Sequence, residues 1–262
     1  MIAIENLSHS YESQPTLREV SCTIDAGEKI VLLGSNGCGK STLLKILAGL
    51  LAPAAGRVAY EGHDVSPRAL GNKAFRRRFR RETGLLFQNP DAMLFNPTVR
   101  DEIAFGPRQH ELDDADDRAV HWAQQVGVIS LLERAPWTLS AGQKQLVCLA
   151  SLLALEPRLL LLDEPTAALD PRSTGWLVDF LQDLEPTLVV ATHNLSLASE
   201  LGERCLVLGE DHTLLHDGDV LALRDSPEVL QRANLVHIHR HRHRDDPEGE
   251  SEHRHYHTHD WS

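Results

Sequence analysis

No stretch of this 262-residue chain is apolar enough to cross a bilayer. The greasiest run, Leu146 to Leu155, is about half the ~20 residues that a membrane-spanning helix needs. The opening Met1-Ile2-Ala3-Ile4-Glu5 has neither the charged nor the apolar region of a secretion signal. These two absences predict a cytoplasmic protein. Cysteine is scarce: Cys22, Cys38, Cys148 and Cys205 are far apart and form no Cys-x-x-Cys, which argues against a zinc knuckle or a disulfide framework and predicts reduced thiols. Positive charge is short as well, with 26 Lys and Arg against 38 Asp and Glu, and a net charge of −12 argues against general nucleic-acid binding. No internal repeat is visible. What is present is a 42% hydrophobic fraction, enough for a substantial core in one domain with a smaller helical insert or tail.

The strongest local pattern is Gly34-Ser35-Asn36-Gly37-Cys38-Gly39-Lys40-Ser41, a match to Gly-x-x-x-x-Gly-Lys-Ser/Thr that runs on into Thr42. Ile30-Val31-Leu32-Leu33 before it reads as a buried strand, and Ser41 to Ala48 reads as a helix whose N-terminal amides point at an anion. Glycines let the backbone wrap phosphate oxygens closely. Lys40 would neutralise the β- and γ-phosphates of a nucleotide and the Ser41 hydroxyl would ligate Mg²⁺.

Around this loop the order of segments predicts an α/β core. Short β-like runs at 2–7 and 20–33, with another near Arg57-Val58-Ala59-Tyr60, suggest an attached antiparallel layer. From Val99 to about Leu155 the patterns are helical, with acids at Asp113 to Asp117 suited to a first turn and Gly127 suited to a stop. Leu159 to Leu162 and Thr187 to Ala191 resume as buried parallel strands. The expected division is a main domain over residues 1–232, with its helical insertion at about 99–155. From about Ala233 to Ser262 the composition turns to His, Arg, Asp and Glu, which predicts a disordered tail.

Two more motifs supply chemistry. Asp163 and Glu164 end the run Leu159-Leu160-Leu161-Leu162, where Asp163 would hold the metal and Glu164 would orient and polarise an attacking water as general base. Leu139-Ser140-Ala141-Gly142-Gln143 precedes a helical run and would present small side chains and free amides at its start, a second phosphate-binding end.

With these motifs in order, and Tyr11, Gln88, Asp170 and His193 at fitting positions, the chain resembles the ATP-binding-cassette (ABC) ATPases over about residues 1–220. The resemblance implies a P-loop NTPase core with an antiparallel β subdomain and a helical subdomain, ATP and Mg²⁺ as cofactors, and a head-to-tail dimer in which the segment Ser140, Ala141, Gly142, Gln143 of one subunit closes over ATP on the other. It further implies that Tyr11 stacks on adenine, Gln88 reaches Mg²⁺ and the water, Asp170 joins the two sites across the dimer, and His193 contacts the γ-phosphate. Ala141 stands where many relatives carry Gly, and Asn194 where many carry Asp. Phe87-Gln88-Asn89-Pro90-Asp91-Ala92-Met93-Leu94-Phe95-Asn96-Pro97-Thr98-Val99 with Glu102-Ile103-Ala104-Phe105-Gly106-Pro107 is similar to the energy-coupling-factor branch. That branch implies integral membrane coupling and substrate-binding subunits, a peripheral place on the cytoplasmic face of the membrane, and vitamins, cobalt or nickel as cargo.

Two stretches remain. Lys73 to Arg81 places Arg76, Arg77, Arg78, Arg80 and Arg81 around Phe75 and Phe79, which reads first as a solvated helix with a two-Phe stripe and second as a contact for acidic lipid or a membrane partner. His237, His239, His241 and His243 alternate with other residues, and His253, His255, His257 and His259 repeat the pattern. In an extended chain such alternation puts imidazoles on one face, a donor set suited to Ni²⁺ or Co²⁺, while the competing reading is a solvated polyampholyte. Together these features favour the ATP-hydrolysing subunit of a nickel or cobalt importer. A vitamin importer is the runner-up; a soluble non-transport cassette and a metal buffer with a decayed cassette trail it.

Overall fold

The structure, a computed structural model, describes the backbone of residues 1–241 and 253–258, and side chains through residue 236. Two sheets carry the fold. The smaller is antiparallel with strand order β2-β1-β4-β5, from β1 (Ile2–Tyr11), β2 (Gln14–Ile24), β4 (Ala55–Tyr60) and β5 (His63–Asp64). The larger has the order β10-β9-β3-β8-β7-β6, from β3 (Lys29–Leu33), β6 (Thr83–Leu86), β7 (Leu159–Asp163), β8 (Thr187–Thr192), β9 (Arg204–Leu208) and β10 (Leu214–Asp219). All its neighbours run parallel except β10, which returns antiparallel to β9.

The ten α-helices in the described residues are α1 (Lys40–Leu47), α2 (Pro67–Leu70), α3 (Lys73–Glu82), α4 (Val99–Gln109), α5 (Ala115–Gln125), α6 (Ala141–Leu153), α7 (Pro171–Asp183), α8 (Leu195–Leu201), α9 (Val220–Leu223) and α10 (Pro227–Arg232). None is long and apolar enough to cross a membrane.

Strands buried on both faces need apolar residues without alternation, and β3, β7 and β8 are buried almost throughout. Successive residues serve opposite cores: Val31 and Leu33 belong to the cluster that includes α4 to α8, while Ile30 and Leu32 belong to the one that includes α1 and the antiparallel sheet. Between β6 and β7 the chain runs through α4, α5 and α6. Thr98 caps α4 by accepting from the Asp101 amide at 3.1 Å, Asp116 and Asp117 occupy the first turn of α5, and Gly127 follows that helix with φ +77°.

The arginine-rich segment forms α3 in its plainer role. Phe79 is fully buried and stacks on half-buried Phe75 at 5.9 Å. Arg77 pairs with Glu111, Arg78 with Glu82, and Arg80 donates to the carbonyls of Ala48 and Gly49. All four cysteines are free and buried.

The C-terminal region departs from the reading of its composition. Ala233, Leu235 and Val236 belong to the core, and the Ser35 amide donates to the Ala233 carbonyl at 3.3 Å. Strands β11 (Val236–His241) and β12 (His253–Thr258) pair antiparallel where an unpaired chain is expected. The apolar side chains just past α10 have a core to enter, and an alternating sequence suits a ladder as well as an open coil. His243 and His259 lie outside the described residues.

Candidate active site

The loop between β3 and α1 packs so tightly at Gly34 and Gly39 that side chains are excluded there. Gly39 has φ +118°, and a Cβ there would collide with the Thr16 carbonyl; a Cβ on Gly34, at φ +151°, would meet Cys38 Sγ and the Leu208 carbonyl within 2.6 Å. The loop opens on a cleft of about 260 Å³ walled by Asn36, Gly37 and Gly39 through Thr42, with Gln88, Asp163, Glu164 and Thr16 opposite. Cys38 is buried outside this wall, and burial pushes its thiol up, away from a nucleophilic role.

Lys40 Nζ donates to the Gly34 carbonyl at 2.7 Å and the Ser35 carbonyl at 3.2 Å, and lies 3.8 Å from Glu164 Oε1. Asp163, at the end of β7, is almost completely buried. Burial pushes its carboxyl above the usual range and the neighbouring Glu164 adds to this, while a Ser41 hydrogen bond and the Lys40 charge pull it down. A buried carboxylate beside a hydroxyl is an oxygen donor set that a hard divalent cation fits, and the glycine cradle fits the phosphates of a nucleotide.

Glu164 sits in the left-handed region at φ +51°, its amide donating to Ala191 on neighbouring β8. Thr192 Oγ1 donates to its Oε2 at 3.3 Å and His193 Nδ1 lies 2.8 Å from its Oε1, so the end of β8 holds this carboxylate at both oxygens. His193 itself is exposed and outside the cleft wall. Its link to the cleft runs through Glu164.

The other anticipated residues are placed elsewhere on the chain. Tyr11, at the end of β1, is 46% exposed and stands edge-on to His9 at 4.7 Å; His9 Nδ1 is 2.8 Å from Thr16 Oγ1, which leads to the cleft. Ser140 caps α6 in a reciprocal box, accepting from the Gln143 amide at 3.3 Å while its own amide donates to Gln143 Oε1 at 3.1 Å. Ala141 is the first residue of that helix. The missing Cβ of Gly142 would lie 3.1 Å from the Ala168 carbonyl, so the start of α6 packs against the turn leading to Asp170. Asp170 caps α7 by accepting from the Arg172 and Ser173 amides. Neither Ser140 to Gln143 nor Asp170 is part of the cleft wall.

Three residues with a place in this arrangement are given no role by the sequence, although Thr192 and Glu102 lie in segments that it singles out. Thr16 belongs to no motif and reaches the cleft only because β2 folds beside the loop. Thr192 precedes His193 in a segment already singled out. Glu102 is buried on α4, its Oε2 accepting from the amides of Phe95 and Asn96 at 2.9 and 2.8 Å, and so fixes the turn that follows Gln88. A lone acid among the apolar positions of a helix was its signal.

A family model described as ABC transporter matches residues 17–167, more than half of the chain. The chain belongs to the ABC transporter family. The energy-coupling factor transporter ATP-binding protein EcfA of Methanothermobacter thermautotrophicus is 36% identical to this cassette over 241 residues, covering 90% of this chain and 76% of that one. The nickel import ATP-binding protein NikO of Rhodobacter capsulatus is 38% identical over 241 residues, covering 89% and 92%. Among solved structures, CbiO1 of Clostridium perfringens, part of the ABC transporter complex cbiONQ, superposes with a TM-score of 0.74 at 29% identity, covering 89% of this chain and 94% of that one. The chain is thus an ABC ATPase, an ATP-binding subunit resembling those of the energy-coupling-factor type.

Proposed function

We propose that this cassette hydrolyses ATP as a homodimer to drive a membrane importer of nickel or cobalt, held on the cytoplasmic face against integral coupling and substrate-binding subunits. The observation that carries the ATP chemistry is the convergence of the glycine cradle, Lys40, Ser41, Gln88, Asp163 and Glu164 on one cleft. Bound Mg²⁺ would supply charge neutralisation on the β- and γ-phosphates, with Ser41, Gln88 and Asp163 as the residues to hold it.

Glu164 would take the proton of the attacking water at a carboxylate oxygen, and Thr192 and His193 would keep that carboxylate oriented. With the γ-phosphate in place, His193 could reach it from the same turn. Tyr11 would offer its exposed ring to adenine. Ser140, Ala141 and Gly142 stand at the start of α6 outside the chain's own cleft wall, and with the Gln143 amide taken up by the Ser140 cap, the amides of Ala141 and Gly142 would be the ones to complete a partner's site.

Similarity to relatives named for nickel import and for the cbiONQ complex favours a metal cargo over a vitamin. Uptake of radioactive Ni²⁺ and Co²⁺ by cells carrying this chain with integral coupling and substrate-binding subunits that co-purify with it tests the reading, with the Glu164→Gln chain as control. Uptake that is lost in the variant supports it. Metal uptake equal in both, or uptake of a vitamin and neither metal, overturns it.

A further inference from the structure

The pairing of β11 with β12 places histidine opposite histidine. His237 is registered with His257, His239 with His255 and His241 with His253, three cross-strand pairs in succession. Opposed residues of an antiparallel ladder share a face, and residues two apart along a strand share it too. All six histidines therefore fall on one face of the ribbon. Val236, Ile238, Arg240, Arg254, Tyr256 and Thr258 make up the other.

This register adds something that alternation alone does not contain. In a lone extended strand the nearest same-face histidines are two residues apart, roughly 7 Å. In the ribbon each has a directly opposite partner with Cβ atoms roughly 4.5–5.5 Å away. Two imidazoles so spaced can close on one ion. The second metal–nitrogen bond then forms within the same molecule, a gain on the order of 100-fold or more over a single ligand.

The ladder has reason to take such an ion. A two-stranded ribbon is marginal by itself, and Arg240 opposite Arg254 is a like-charge pair that weakens it. The root is firm: Val236 and Leu235 are buried in the core and the Ala233 carbonyl accepts from the Ser35 amide. One strand of the site is therefore anchored before any ion arrives, which lowers the ordering cost of binding.

We propose that the ribbon of β11 and β12, whose register sets His237 opposite His257, His239 opposite His255 and His241 opposite His253, is a binding site for divalent transition-metal ions. Neutral imidazole selects Ni²⁺ over Co²⁺ and both over Mg²⁺, so this site is chemically separate from the oxygen-lined cleft that serves ATP. It stands whatever the importer carries, since it is a property of the cassette.

Calorimetric titration of the full-length chain with Ni²⁺ alone tests the pairing. Replacing all six ribbon histidines by Gln should weaken Ni²⁺ binding at least ~100-fold, the scale of a lost chelate, with melting temperature and MgATP binding unchanged as the check on folding. Two double variants decide the register, because each removes two histidines. His239→Gln with His255→Gln removes one pair and leaves two intact; His239→Gln with His241→Gln breaks two pairs and leaves one. The matched double should keep more tight Ni²⁺ equivalents than the mismatched double. Wild-type affinity in the six-fold variant, or equal losses in the two doubles, overturns the proposal.

Discussion

Lys40 and Glu164 face each other at one end of the cleft, Nζ 3.8 Å from Oε1, both nearly buried. A phosphate entering beside them gains the attraction of the lysine and meets the repulsion of the carboxylate. The two residues should therefore separate binding from turnover. Glu164→Gln is expected to retain or slightly improve ATP affinity while steady-state hydrolysis falls at least ~100-fold, the lower range for loss of a general base. An ATPase rate matching the wild type in the assembled transporter would remove Glu164 from the base role.

The composite-site reading predicts complementation. A Lys40→Ala subunit and a Ser140→Ala subunit should each be inactive as homodimers, and their mixture should regain one intact site per heterodimer. Ser140 also caps α6, so its replacement costs about 1 kcal/mol of stability, and a melting curve must show the variant folded. Mixed dimers that form and stay as inactive as the parents would sink the model.

Asp163 makes a pH prediction. Its carboxyl is pushed up in the folded chain, chiefly by burial, so the folded state holds the proton more tightly than the unfolded one. The resulting penalty is absent below the unfolded value of about 3.9 and grows as pH rises through the raised folded value. In nucleotide-free, Mg²⁺-free protein, Asp163→Asn should thus melt higher than wild type near neutrality, with the gap closing toward pH 4. A gap that does not change with pH would contradict this.

Tyr11 offers an exposed ring. Tyr11→Ala should weaken ATP by roughly 5- to 150-fold, the equivalent of about 1–3 kcal/mol for stacking, and Tyr11→Trp should restore it. If fluorescent-nucleotide titrations give the same affinity for all three proteins, adenine does not rest on this residue.

Glu102→Ala strips the acceptor from two backbone amides, those of Phe95 and Asn96. Leaving them unpaired should cost about 2–3 kcal/mol in denaturant unfolding, whereas Glu102→Gln, which keeps an acceptor, should cost less. Equal losses would assign the effect to charge alone.

Much of the cassette was legible in the chain because its chemistry depends on local sequence. A glycine loop between a strand and a helix, a strand ending in Asp163 and Glu164, and a helix beginning at Ser140 to Gln143 each carry their own backbone requirements, and the structure forms strands and helices at those positions; the Gln143 amide expected to be free is instead taken up by the Ser140 cap. Helices α4 to α6 were likewise visible from their periodicity and first-turn acids.

What only tertiary structure decided was which segments meet. Thr16 reaches the cleft because β2 lies against Gly39, and no pattern around it says so. Thr192 and His193 hold Glu164 because β8 is the parallel neighbour of β7, a choice of strand order made by packing. At the C-terminal end the sequence determined that histidines alternate, and with that which residues share a face. Strand pairing decided that histidine stands opposite histidine, since the same alternation shifted by one residue would set no histidine of one strand against a histidine of the other.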